Sequence, residues 1–413
     1  MKREALFLGV DLGSSGVRVA IVNQEKALIY FDDLSYKNKL EDPEDWTECC
    51  TSLFLKIPIK IKANIFACSV DGTSGTLLAC NRQGKSLGQA IPFNDNCKEY
   101  EIKVSQLIPE INNAIYQFSS ISRALKLLDE YGNNIKIRHQ ADWISGWLIN
   151  DWKYGEGGNN LRLGWDLIKK GWPKTFNNQP WFASLPEIIE SGTIVNKIAE
   201  QQANKFGFPK DTLVVAGTTD SNAAVIASGA NKDEGISILG STIVVKSYVK
   251  QPLKGIGITN HKISGDWIAG GASNAGGKVL KKFFSNQEIT ELSRQINPKI
   301  KTDFNLIPLT EVGERFPIND PELKPVLKPR PVSDALFLHA ILEGLARIEA
   351  QGWRQLIKLG APTPKRIITL GGGAKNPQWK KIREKEVNIP IYTSIKPPAL
   401  GSAIIAMQSI VKN

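Results

Sequence analysis

The chain opens on apolar runs punctuated by short polar turns. The run beginning at Leu6 carries Asp11 at its end; the turn Asp11-Leu-Gly-Ser-Ser-Gly16 follows, then the β-branched run Val17 to Val22. A third run, Ala27 to Phe31, follows the polar turn Asn23 to Lys26. This pattern predicts strand, tight turn, strand, turn, strand. The same layout returns at Ile65 to Cys80, where Asp71 ends an apolar run, Gly-Thr-Ser-Gly-Thr turns, and a second run leads to Asn81-Arg-Gln-Gly84. The echo predicts paired turns along one edge of a sheet, with Asp11 and Ser74 facing a shared cleft. Pro43-Glu-Asp-Trp46 has the composition of a helix start. Residues 100 to 150 read as mainly helical, with Trp143 and Trp147 on one buried face. Pro186 to Gly207 contains a helix closed by Gly207. Leu213 to Gly229 is a buried strand that runs through Gly217-Thr-Thr into a helix of small residues, which puts Asp220 at the junction.

The second half repeats the strand–turn–strand pattern at Gly235 to Val245, around Gly240-Ser-Thr242. Residues 297 to 331 are proline-rich without a period and predict an extended surface segment. Asp334 is expected to cap an amphipathic helix running to Ile348. Lys365 to Trp379 reads as strand, triple glycine, helix, and Pro397 to Ala406 starts a C-terminal helix of small residues.

Several turns have the residue types of a ligand site. Small residues at 13 to 16 let backbone N–H groups approach an anion. Asp11 is too acidic to touch a phosphate, but it fits beside a Mg²⁺ ion that prefers one or two carboxylates, water and phosphate oxygens. A strand follows this turn, whereas a P-loop and a dinucleotide turn both open a helix. An ordinary hairpin, its Asp and Ser satisfying the turn, accounts for the same residues taken alone. Asp220 is either a helix N-cap or a general base kept ionised by the helix N-terminus. Pro92-Phe-Asn-Asp-Asn96 either binds hydroxyls or forms an Asx turn. Gly371-Gly-Gly373 lets the backbone lie flat against a planar group, with Asn376 and Trp379 within one turn. Lys278 follows a Gly-rich stretch but fails as a P-loop lysine, because Ala272 and Val279 stand where that motif needs Gly and Ser or Thr.

The 413 residues predict two or three domains, and 42% hydrophobic with 23% charged residues is ordinary for a globular protein. No apolar run approaches the ~20 residues of a membrane helix, and Met1-Lys-Arg-Glu leads into a strand rather than a signal peptide. Five cysteines without a Cys-x-x-Cys pair, and three scattered histidines, predict neither a disulfide framework nor a zinc site. A reduced, cytoplasmic location is the expectation. The net charge of +11 is dispersed, and its densest pairs, Lys281-Lys282 and Lys380-Lys381, fall in amphipathic helices. Solvated helix faces explain them better than a nucleic-acid surface does. The positive field would help draw in a nucleotide.

Two phosphate-type hairpins, acidic residues at strand ends and a triple-glycine turn, in this order on two βα-rich lobes, have the layout of the actin-like ATPase superfamily. Over essentially its whole length the chain resembles the FGGY carbohydrate kinases, most closely the short pentulose kinases of cyanobacteria and plants. The motifs that carry the resemblance are Asp11-Leu-Gly-Ser-Ser-Gly-Val-Arg18, Asp71-Gly-Thr-Ser-Gly-Thr76, Gln140-Ala-Asp-Trp143, Ala216-Gly-Thr-Thr-Asp220, Leu239-Gly-Ser-Thr242, Gly270-Gly-Ala-Ser-Asn274 and Gly371-Gly-Gly-Ala-Lys-Asn376. It implies an α/β, two-domain actin-like (ribonuclease H-like) fold with a cleft between the domains: residues 1–228 plus 398–413 for the sugar and 229–397 for ATP. It implies ATP and Mg²⁺ as cofactors, a small-molecule sugar as partner, no nucleic acid or membrane, and a monomer or small homo-oligomer. Asp220 would be the base that deprotonates the sugar hydroxyl, and Asp11 the carboxylate near Mg²⁺, through water, and near the sugar. Ser74 would contact the sugar, as would Asn94 or Asp95. Gly13, Ser14, Ser15, Gly240, Ser241, Thr242 and Gly271 would serve the nucleotide phosphates, and Gly372, Gly373, Asn376 and Trp379 the adenosine pocket. Closure of the two lobes would keep water from the reaction. The chain is shorter than typical members, and its second hairpin has Ser-Gly-Thr where many xylulokinases have Ser-Gly-Gln. The expected reaction is therefore D-ribulose to D-ribulose 5-phosphate, with D-xylulose, another polyol or a non-catalytic ATP switch as the alternatives.

Overall fold

The structure, a computed structural model, describes residues 4–108 and 120–411. The part of the expected helical stretch at 109–119 lies outside the described residues. The chain forms two compact units. One runs to Ala227 and takes in Lys262–Gly265 and the segment from Lys396 onward; the other comprises Ser228–His261 and Asp266–Ile395.

In the first unit the opening pattern forms as strands β1 (Leu6–Leu12), β2 (Gly16–Val22) and β3 (Leu28–Ser35). β3 continues past Phe31 because its backbone pairs with β2 as far as Gly16. β4 (Ile65–Gly72) lies parallel to β1. β5 (Leu77–Cys80) and β6 (Lys136–His139) form a small sheet of their own, as do β7 (Tyr154–Glu156) and β8 (Glu187–Ile189). β9 (Ile194–Lys197) and β10 (Leu213–Thr219) complete a six-stranded main sheet in the order β3-β2-β1-β4-β10-β9. The described part of 100–150 is mainly helical, with one strand not expected, β6: pairing of Leu77 to Cys80 with His139 to Lys136 holds that segment extended between two helices.

Every residue of β1 is buried, so both faces of the sheet are covered. On one side packs the helix Pro43–Lys56, capped by Asp42 with Pro43 at its first position, through Trp46, Leu53 and Phe54. The C-terminal helix Pro398–Val411 also packs on β1 and β4. It approaches so closely that a Cβ at Gly9 would lie 1.9 Å from the Ala399 carbonyl oxygen.

The second unit holds β11 (Gly235–Leu239), β12 (Ile243–Val249), β13 (Ile258–Ile263) up to His261, β14 (Asp266–Ala272), β15 (Ile367–Leu370) and β16 (Ile391–Thr393). Their sheet order is β13-β14-β12-β11-β15-β16. The long helix Asp334–Lys358 packs beside β12 and β14. Its cap is Ser333, whose hydroxyl accepts from the Leu336 N–H, whereas Asp334 occupies the first helical position and pairs with Arg330 at 2.6 Å. The proline-rich stretch 297–331 is not confined to the surface. Leu306, Leu309 and Phe316 are buried in it, and its backbone is pinned by bridges from Ile307 to Val326 and from Glu314 to Asp320. Among the described residues no helix is long and apolar enough to cross a membrane.

Candidate active site

Three aspartates meet at one end of the parallel strands of the first unit. The register aligns Asp11 on β1 with Asp71 on β4, and Asp71 with Thr218 on β10. Asp220 follows two residues later as the first residue of the helix Asp220–Ser228. Asp11 is buried; its Oδ2 accepts from Arg18 Nη1 at 2.9 Å, the arginine standing opposite it on β2. Its Oδ1 has no hydrogen-bond partner among the described residues. Asp220 Oδ1 accepts from the N–H of Ser221 at 2.6 Å.

Asp71 is the site residue that sequence reasoning missed. Burial first, and then the charge of Asp11, hold its carboxyl well above the usual carboxylate range. Its Oδ2 accepts from the Ser402 hydroxyl on the C-terminal helix. The signal was present in the echo between the two strand–turn–strand stretches, but the partnership depends on the β1–β4 register.

The turn after β4 is tied down on all sides. Thr73 N–H donates to the Leu12 carbonyl at 3.1 Å and to Gln140 Oε1 at 3.1 Å, and Thr73 Oγ1 donates to the same Oε1 at 2.8 Å. The Thr73 and Thr76 hydroxyls are 2.6 Å apart, and Phe93 N–H donates to Thr76 Oγ1 at 3.3 Å. Ser74 keeps part of its surface exposed within this turn. In the adjoining loop Asp95 Oδ1 accepts from the Cys97 N–H at 3.1 Å, the expected Asx turn, whereas Asn94 is exposed. In the first hairpin Ser14 and Ser15 are exposed, while Gly13 is buried against Arg18.

In the second unit β11 pairs in parallel with β15, so the turn Gly240–Thr242 and the turn at Gly371 leave the sheet side by side. Gly240 and Ser241 are exposed and Thr242 partly so. The Gly277 N–H donates to the Gly240 carbonyl at 2.9 Å and the Lys278 N–H to the Ser241 carbonyl at 3.2 Å, which props the turn from beneath. The three glycines are not equivalent. Gly371 has φ +88° and stands against the Leu239 carbonyl; a Cβ at Gly373 would strike Trp379; a Cβ at Gly372 meets nothing within 4 Å.

A sequence model of the FGGY family of carbohydrate kinases, C-terminal domain, matches residues 237–410, which span both of these turns. Residues 237–410 are thus a C-terminal domain of the FGGY family of carbohydrate kinases. The xylulose kinase of Lactococcus lactis is 24% identical over 97% of this chain and 87% of its own length. A ligand-bound xylulose kinase structure from Lactobacillus acidophilus superposes with a TM-score of 0.80 at 18% identity, covering 99% of this chain and 90% of that one. Plasmodium falciparum glycerol kinase with ADP gives 0.81 at 16% identity over 99% of this chain and 90% of its own. The chain has the two-domain actin-like ATPase fold of these structures and is a carbohydrate kinase, a phosphotransferase.

Three residues expected at the nucleotide site are engaged in packing or capping. Gly271 lies inside β14 opposite Val245, where a Cβ would come within 2.5 Å of the Phe316 ring. Trp379 is 2% exposed and packs with Leu239 and Ile382, which leaves no open ring face for a purine. Asn376 caps the helix Pro377–Val387: its Oδ1 accepts from the N–H groups of Gln378 and Trp379, each at 3.0 Å, and its Nδ2 donates to Ser293 at 2.8 Å. Lys278 is exposed and faces Glu311 at 3.6 Å.

Among the described residues no cluster of three or more His, Cys, Asp or Glu side chains could hold a metal ion by itself. The unpartnered Asp11 Oδ1 does fit Mg²⁺, an ion that takes one carboxylate and fills its remaining positions with water and phosphate oxygens.

Proposed function

We propose that this kinase transfers the γ-phosphoryl group of ATP to a hydroxyl of a pentulose, with D-ribulose as preferred acceptor and Asp220 as general base. The observation that carries this reading is the convergence of Asp11, Asp71 and Asp220 at the ends of β1, β4 and β10. Asp220 heads a helix whose N-terminal dipole favours its anionic form, so it is suited to accept the proton of the attacking hydroxyl. Burial and the charge of Asp11 disfavour a further negative charge on Asp71, the sense that suits incoming phosphates. Arg18 holds one oxygen of Asp11 and leaves the other for Mg²⁺ and its water, whose positive charge would offset that on the phosphate oxygens. Ser14, Ser15 and the turn Gly240–Thr242 supply hydroxyls and backbone toward the phosphates, and Gly372 the bare backbone toward the nucleoside.

Ribulose and xylulose differ only at C3, so a choice between them needs a polar group aimed at one hydroxyl. Thr76 spends its hydroxyl inside the turn on Thr73 and Phe93, which leaves Ser74 and Asn94 to read the sugar. D-xylulose is the second reading, favoured by relatives that are themselves xylulose kinases. The test is ADP release from Mg-ATP with D-ribulose, D-xylulose, L-ribulose, glycerol or no sugar, using wild type and Asp220→Ala. One pentulose should stimulate turnover strongly, and the variant should lose about 100-fold or more, the usual worth of a general base. A rate independent of sugar and untouched by the substitution refutes the proposal.

A further inference from the structure

Arg123 projects from the helix Ser120–Tyr131 and is wholly buried, a costly place for a charge. Burial pushes its guanidinium down only to about 10, so it stays a cation at neutral pH. Nothing in the proposed chemistry uses that charge. Its bonds show where it acts: Nε donates to the Pro92 carbonyl at 3.0 Å and Nη2 to the Phe93 carbonyl at 2.5 Å. These are the two residues that lead into Asn94 and Asp95. The same guanidinium lies beneath the turn after β4, where a Cβ at Gly75 would be 3.6 Å from Nη1. Gly75 has φ +102° and follows Ser74 directly. Phe93 is in turn bonded to Thr76. One rigid, planar donor set thus underlies two separate segments, each of which brings one exposed or half-exposed polar side chain to the sugar side of the first unit.

We propose that Arg123 is the positioning residue of the sugar half-site: it holds the Ser74 turn and the Asn94 loop at a fixed separation, and so sets sugar affinity and the choice between C3 epimers without touching the sugar. The proposal rests on the reading of Ser74 and Asn94 as sugar contacts. Lysine at 123 keeps the charge but lacks the fork that spans two carbonyls, so it would anchor one segment and release the other. A misplacement of about 1 Å costs on the order of 100-fold in a well-ordered site.

The experiment measures KM for D-ribulose, for D-xylulose and for ATP in wild type, Arg123→Lys, Ser74→Ala, Asn94→Ala and the double variant Arg123→Lys with Asn94→Ala. Arg123→Lys should raise KM for the preferred pentulose roughly tenfold and shrink the preference between the two epimers. KM for ATP should stay within about twofold, a split that general destabilisation would not produce. In the Asn94→Ala background, where one of the two positioned contacts is already gone, Arg123→Lys should cost markedly less. An unchanged pentulose KM in Arg123→Lys overturns the proposal, as does an equal loss for pentulose and ATP or full additivity in the double variant. Unchanged pentulose KM in both Ser74→Ala and Asn94→Ala overturns the contact reading beneath it. A wild-type enzyme without sugar-stimulated turnover overturns the pentulose function itself. Asn94 is exposed, so its variants report even if Arg123→Lys folds poorly.

Discussion

Alanine at Gly372 and at Gly373, introduced one at a time, separates a glycine kept for the ligand from one kept for the fold. A Cβ at Gly373 would stand 2.4 Å from Trp379 Cζ3 and 2.8 Å from Leu239 Cβ. The indole is 2% exposed, so it cannot yield toward solvent without opening the core around Ile382. Overpacking of this kind costs about 1–3 kcal/mol, and in a domain of this size each kcal/mol lowers the melting temperature by about 2–4 °C. Gly373→Ala should therefore melt roughly 2–12 °C below wild type. Gly372 differs in both respects: its φ is not positive, and an added Cβ meets no atom within 4 Å. Its alanine variant should melt at the wild-type temperature or slightly above, since a stiffer unfolded chain is worth about 0.4–1 kcal/mol. If the turn carries the nucleotide, the new methyl occupies ligand space, and 1–3 kcal/mol of crowding becomes a rise in the KM for ATP of about 5- to 150-fold. Thermal melts and steady-state kinetics at saturating pentulose read the two effects separately. A Gly372→Ala enzyme that melts as low as Gly373→Ala refutes the packing argument, and one with wild-type melting and wild-type KM for ATP removes this turn from the nucleotide site.

Burial raises the Glu156 carboxyl to about 8, against the downward pull of the Gly158 and Asn159 N–H groups. The folded state therefore keeps a proton that the unfolded chain releases, so this residue makes the protein lose stability as pH rises from about 4.5 to about 8. Melting temperatures at pH 6 and pH 8 should show a fall in wild type that Glu156→Gln largely removes; equal falls in both count against the assignment. In the second unit Arg383 meets the buried Glu349 at 2.5 and 2.7 Å, and Ser237 adds a third bond. Arg383→Met strands that carboxylate and should cost about 3–5 kcal/mol in urea unfolding, most of it recovered by adding Glu349→Leu. Gly9→Ala drives a methyl into the Ala399 carbonyl and should loosen the C-terminal helix, seen as faster proteolysis near residue 398 at temperatures where wild type resists; unchanged cleavage would show that the helix can shift at little cost.

Much of this was legible in the chain, and what was not has a common cause. The hairpin around Gly13, the strand and turn leading to Gly75, the strand-to-helix junction at Asp220 and the C-terminal helix all follow from local periodicity and turn residues, which act over a few positions, whereas the strands on either side of Gly75 enter different sheets. The missed features depend on partners far away in sequence. Asp71 matters because parallel pairing sets it beside Asp11, and β6 is a strand because β5 takes up its hydrogen bonds. Phe316 is buried under Gly271 and Gly352 although its segment is rich in proline. Asn376 and Trp379 are a different case, since Asn followed by Pro is itself an N-cap signal, and the neighbouring glycines drew the reading away from it.

A polar or small side chain can serve a ligand only with what the local backbone and core have not already used, and subtracting those uses narrows the kinase's candidate residues sharply. Asn376 is spent on a helix end, Asp95 on a turn, Thr73 and Thr76 on each other and on Gln140, Gly271 on Phe316, and Gly373 on Trp379. Left over are Ser14, Ser15, Ser74, Asn94, Gly240, Ser241, Thr242 and Gly372, each at a turn or loop and each at least partly exposed, together with one unpartnered oxygen of Asp11. Four of them belong to the unit that holds the three aspartates and four to the unit with the paired glycine turns. That remainder suits the proposed reading, in which Ser74 and Asn94 face the hydroxyls of the acceptor while Ser14, Ser15 and the glycine turns serve where a large anion must come close.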